Sequence, residues 1–202
     1  MMQWIGRALF AAMAVGVLGA CERANGTATV SVEGSRAVDS IHPPAVALER
    51  FRAGLAGPAE RLAGGESSIE SLTARWVAAV ETHDTATIRR LVIDRAEFAW
   101  LYYPASPFAR GPLYQSPDVV WFRLQANSEK GIVRVLRRLG GSDMRYRSVA
   151  CGAAPKIEGE NRIWEYCSVQ LGEGADARAA LLFGGILEHE GRFKFISYAN
   201  QY

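Results

Sequence analysis

The sequence predicts an α+β domain, with N-terminal helices packed on a curved antiparallel sheet of about four strands, cone-like in outline. Apolar residues recur at three and four residues over positions 69–93 and again over 116–139, the spacing of one helix face. From Met144 to the end the period falls to two, the alternation of half-buried strands. A chain of 202 residues, less a leader and a tether, has the length of one domain able to bury its own core.

At the start, Arg7 precedes an uncharged run over residues 8–20 that ends in small residues. The run is shorter than the roughly 20 apolar residues a bilayer span requires, and its layout is that of an export signal. Leu18-Gly19-Ala20-Cys21 resembles the lipobox of bacterial lipoproteins. The resemblance implies cleavage before Cys21, fatty acylation of Cys21 and attachment to a membrane of the bacterial cell envelope. Each buried CH₂ contributes about 0.8 kcal/mol, so stable attachment takes more than one acyl chain, which the family's modification supplies. Glu22 stands where an inner-membrane retention signal carries Asp, which implies the outer membrane, facing the periplasm. A plain secretion signal is the alternative, and Cys21 at the cleavage point speaks against it.

Three segments follow from this reading: a signal peptide over 1–20, a tether and linker over 21–64, and a single α+β domain over 65–202. Residues 22–40 are small, polar and aperiodic, the composition of a flexible tether. Val46, Phe51 and Leu55 have loosely helical spacing before Pro58 and Gly64-Gly65 interrupt. Removing the signal removes one of 23 basic residues, leaving 22 against 21 acidic, a balance that excludes an electrostatic nucleic-acid binder.

Ile69, Leu72, Trp76 and Val80 define the first helix of the domain, capped by Ser67 or Ser68. His83-Asp84 closes it, and Asp84 is placed to cap a second helix over 85–93. This order of apolar helix, acidic turn and second helix resembles the nuclear transport factor 2-like superfamily, which includes polyketide cyclases and steroid isomerases. The resemblance spans Leu72 to Leu91 and implies a cavity between helices and sheet, with polar groups reaching into it. None of the superfamily's catalytic residues carries over by position.

The aromatic stretch over 97–104 reads as a short strand or one further helical turn, and Pro104, Pro107 and Pro112 place a loop after it. Ser116-Pro117 starts a helix that is expected to break or bend near Asn127-Ser128 and to stop at Gly140-Gly141. Beyond it, residues 146–151 and 163–169 alternate, residues 179–187 are almost continuously apolar, and Glu190-Gly191 joins the last two strands in a hairpin. A turn around Glu158-Gly159-Glu160 sets Lys156 opposite Arg162 and Cys151 opposite Cys167. In an oxidising compartment Cys151 and Cys167 form a disulfide whose short loop contributes about 3 kcal/mol in the chain-entropy account.

Signals of chemistry are few. His42, His83 and His189 have no second ligand at metal spacing, and Glu188-His189-Glu190 reads as a solvated cluster at a hairpin tip, so neither metal nor cofactor is expected. Two functions of different classes follow. The first is a non-catalytic envelope domain that binds a hydrophobic small molecule or an envelope protein, with Trp100, Tyr102 and Trp121 as ligand contacts. The second is an acid–base enzyme of isomerase, dehydratase or cyclase type using His83 with Asp84 or Glu97, because His83 falls on the face of Trp76 and Val80.

Overall fold

In the computed structural model the described residues are 42–202; the signal peptide, Cys21 and the tether as far as residue 41 lie outside them. The fold is α+β, built from helices α1 (Pro44–Arg52), α2 (Ile69–Glu81), α3 (Thr85–Leu91), α4 (Arg95–Glu97) and α5 (Pro117–Leu139), followed by seven short strands. The strands are β1 (Tyr146–Cys151), β2 (Lys156–Glu158), β3 (Asn161–Trp164), β4 (Cys167–Leu171), β5 (Arg178–Ala180), β6 (Ile186–His189) and β7 (Arg192–Phe195). They form two open antiparallel sheets, β1-β4-β5 and β2-β3-β6-β7. Among the described residues no helix is long and apolar enough to cross a membrane.

The expected meander of four strands becomes seven because two of its strands are broken at corners and β2, which the alternation did not show, adds one. Residues 163–169 divide into β3 and β4 at Tyr166, whose φ of 54° turns the chain from one sheet to the other. Residues 179–187 divide into β5 and β6 across Gly184 and Gly185, where a Cβ would stand 2.7 Å from Ser197 Oγ and 3.2 Å from Ile196 Cδ1. The disulfide joins Cys151 and Cys167, directly opposed on β1 and β4. The register that predicted it holds only on that side: Lys156 faces Ile163, not Arg162, because the β2–β3 turn has two residues, Gly159-Glu160. The β6–β7 hairpin is as expected, with Glu190 and Gly191 both at positive φ, as a two-residue turn of matching twist requires.

Helix α2 starts on Ser68, whose hydroxyl accepts from Ser71 N–H while the Ser71 hydroxyl accepts from Ser68 N–H. Its buried face, Leu72, Trp76 and Val80, covers the sheets. Trp76 packs edge-on against Phe183 and Phe195 and stacks on Tyr198, at centroid distances of 5.6, 6.1 and 6.2 Å. These rings fill the space between helix and sheet that the superfamily resemblance assigns to a cavity.

Three further expectations are corrected. Residues 44–62 fold with the domain rather than serving as linker, since Ala47 is buried and Phe51 and Leu62 belong to a second core with Phe98 and Tyr103. The stretch after α4 is neither a strand nor a plain helical turn: Phe98–Tyr102 forms a π-helical turn and Tyr103–Ala105 a 3₁₀ turn, which bury Phe98, Tyr102 and Tyr103. Helix α5 runs unbroken through Asn127-Ser128. Ser128 and Gly131 face inward there to admit the C-terminal segment, and a Cβ on Gly131 would lie 1.7 Å from the Tyr198 carbonyl oxygen.

Candidate ligand-binding groove

The passage of the C-terminal segment beneath α5 creates the groove. Tyr198 N–H donates to Ser128 Oγ at 3.0 Å and Tyr198 O–H donates to the Ile88 carbonyl at 2.6 Å, so this residue ties α5 to α3 while lying between them. Burial pushes its phenol well above the ordinary tyrosine range, so the hydroxyl is held as a donor. Above this floor a groove of about 660 Å³ opens between α3, the turn leading to α4, and α5. Ile88, Val92, Trp121, Ile132, Val133 and Leu136 supply apolar wall. Val133 is exposed, while Val92, Trp121, Ile132 and Leu136 are half-buried. Arg89, Arg95, Asp94 and Glu129 also line it, two cations and two anions, so the groove is apolar inside with balanced charge among its lining residues.

The structure does not bring the proposed acid–base residues together. Helix α2 ends at Glu81, and His83 takes a φ of 54° on the turn after it, so it leaves the face of Trp76 and Val80. Exposed, its ring rests on the end of α5, where a Cβ on Gly140 would lie 2.6 Å from His83 Nε2. Asp84 is spent on the cap of α3, accepting from Thr87 N–H at 2.9 Å and Thr87 O–H at 2.6 Å, bonds that hold its carboxyl below the usual range. Glu97 is buried, paired with Lys194 Nζ at 2.8 and 2.9 Å, and accepts from the N–H groups of Ala63 and Asp94. Burial pushes the Glu97 carboxyl up, against the pull of Lys194. The pair ties the segment before α2 to α4 and β7, a structural role that leaves Glu97 no free face for a substrate.

The expected ligand contacts also separate. Trp121 lines the groove, Trp100 lines a different cavity with the Arg52 guanidinium 4.8 Å from its ring centroid, and Tyr102 is core. Tyr102 packs 6.0 Å from Phe98, and burial raises its phenol to about 12. The Glu188-His189-Glu190 cluster is not solvated as a whole, since Glu188 and His189 are buried on β6. Glu188 accepts from Arg162 and from the Trp164 indole, at 2.8 and 3.0 Å.

Sequence reasoning missed most of the groove wall. Ile132 and Leu136 were readable as apolar helix positions, but their partial exposure depends on Tyr198, some sixty residues away in the chain. Among the described residues no group of three His, Cys, Asp or Glu side chains is placed to hold a metal ion. Comparison with protein-family models, curated proteins and solved structures gives no match.

Proposed function

We propose that this chain is a lipid-anchored protein of the bacterial envelope whose domain holds a hydrophobic small molecule in the groove between α3 and α5. The observation that carries the ligand reading is the row of half-buried apolar side chains above Tyr198, on a helix whose buried face is already satisfied. A volume of about 660 Å³ is that of a small-molecule site, which typically spans about 300–1,000 Å³. The balanced charge among the lining residues suits a ligand with an apolar body and a small polar head. The anchor reading rests on Leu18-Gly19-Ala20-Cys21, and the membrane is the partner it implies.

The test is mass spectrometry of compounds carried by the full chain after gentle extraction from membranes. The expected result is an apolar compound retained by the native chain and lost from Ile132→Gln, with Cys21→Ser abolishing acylation and leaving binding intact. An empty groove alongside a co-purifying envelope protein that Ile132→Gln releases would replace the small-molecule reading with a protein partner.

A further inference from the structure

At the end of β6, a second cavity of about 520 Å³ is lined by Glu60, Trp100, Leu101, Pro104, Ala105, Glu160, Asn161, His189 and Glu190. We propose that it binds a small organic cation of the primary alkylammonium class. The central group is His189, only 6% exposed, which makes one hydrogen bond, between its Nδ1 and Asn161 Oδ1 at 2.8 Å. Asn161 is itself fixed, because its amide Nδ2 donates to the Leu101 carbonyl at 2.8 Å. This orientation, assigned from the hydrogen-bond network, makes Oδ1 an acceptor and Nδ1–H the donor. In the neutral ring the Nε2 lone pair then remains, an atom with no hydrogen bond from the described residues and lying on a residue that lines the cavity. A buried imidazole with one nitrogen locked and the other left to a cavity is built to accept a hydrogen bond from something that enters.

The surroundings select the charge of that visitor. Glu60, Glu160 and Glu190 are exposed carboxylates around the same cavity, while Leu101, Pro104 and Ala105 are half-buried and apolar. Of the cations nearby, Arg52 stacks on Trp100 and donates to the Ala99 carbonyl, Arg162 pairs with Glu188, and the exposed Arg192 lies opposite His189 on β7, so one guanidinium stands against the three carboxylates. An ammonium group on a short alkyl chain donates to Nε2, faces the three carboxylates and lays its carbons on the apolar wall. A bare metal ion fits less well, because the described residues hold no set of three ligating side chains at metal geometry.

The experiment is a titration of the full chain with n-butylammonium chloride, followed by the ¹⁵N and ¹H resonances of its three histidines, His42, His83 and His189. Sodium chloride at equal ionic strength is the control. The expected result is a saturable shift of His189 alone, with affinity reduced roughly fivefold in Glu160→Gln/Glu190→Gln, as the loss of two exposed charge interactions predicts. Both positions are exposed, so this variant tests the site without disturbing the His189–Asn161 pair. A shift shared by all three histidines, one reproduced by sodium chloride, or an affinity unchanged in the double variant overturns the proposal.

Discussion

The space between α2 and the sheets and the space between α3 and α5 are lined by similar residues, yet one is closed and the other open. Under α2, Trp76 meets Phe183, Phe195 and Tyr198, and the helix lies flat on a filled aromatic layer. Between α3 and α5 the same Tyr198 is a hydrogen-bonded tie, joining Ser128 to Ile88 beneath a groove that stays open. The groove lies where a polar tie joins two elements and the apolar residues above it, packed on the core on one side, stay half-buried on the other. Burial alone would have closed the gap.

Removing the filled layer gives the largest expected effect. Trp76→Ala deletes the most voluminous fully buried side chain and costs about 3–5 kcal/mol, measured as the fall in unfolding free energy in urea. Gly131→Ala strikes the other region, because its methyl would displace the Tyr198 carbonyl; the expected cost is about 2–3 kcal/mol. Gly131→Ala displaces the Tyr198 backbone itself while Trp76→Ala removes only a ring stacked on it, so ligand binding by the folded fraction should fall further in Gly131→Ala. Ile132→Gln, by contrast, changes a half-buried wall residue and should shift unfolding by less than about 1 kcal/mol while removing binding.

The smallest effect concerns Asp84, and it separates a cap from a catalyst. Its carboxyl lies below the ordinary aspartate range in the folded chain, held there first by the Thr87 hydroxyl and then by Thr87 N–H. A lowered folded value means that the cap's contribution is present above pH 3.8 and is lost as pH falls through the folded value. Asp84→Asn keeps an acceptor for Thr87 N–H and should flatten that acid limb of stability, read by thermal unfolding at a series of acidic pH values, without changing ligand binding at neutral pH.

What could be read in the sequence was what neighbours in the chain decide. The capped starts of α2 and α3, the apolar face of α2, the turn at Glu190-Gly191 and the opposition of Cys151 and Cys167 each rest on residues a few positions apart or on one hairpin. Corners were invisible because alternation carries across them: residues 163–169 keep a period of two although Tyr166 changes sheet. The unbroken course of α5 was also hidden, since Asn127-Ser128 looks like a break until Tyr198 supplies Ser128 with a partner. The same holds for Glu97, whose partner Lys194 lies 97 residues away. His83 was misplaced for a different reason: extending the helical period past Glu81 ignored the left-handed turn that ends α2.

The central claim is that the α3–α5 groove takes an apolar ligand, and it is tested most directly by titrating 1-anilinonaphthalene-8-sulfonate into the folded domain. The part of the tryptophan-to-dye energy transfer that is lost in Trp121→Phe is the signal of Trp121, on the groove wall, and reports arrival at that place. The account predicts saturable binding at one site, quenching of Trp121, and loss of both in Ile132→Gln with the unfolding temperature preserved. Equal binding by the native domain and Ile132→Gln, with Trp121 unperturbed, would contradict it.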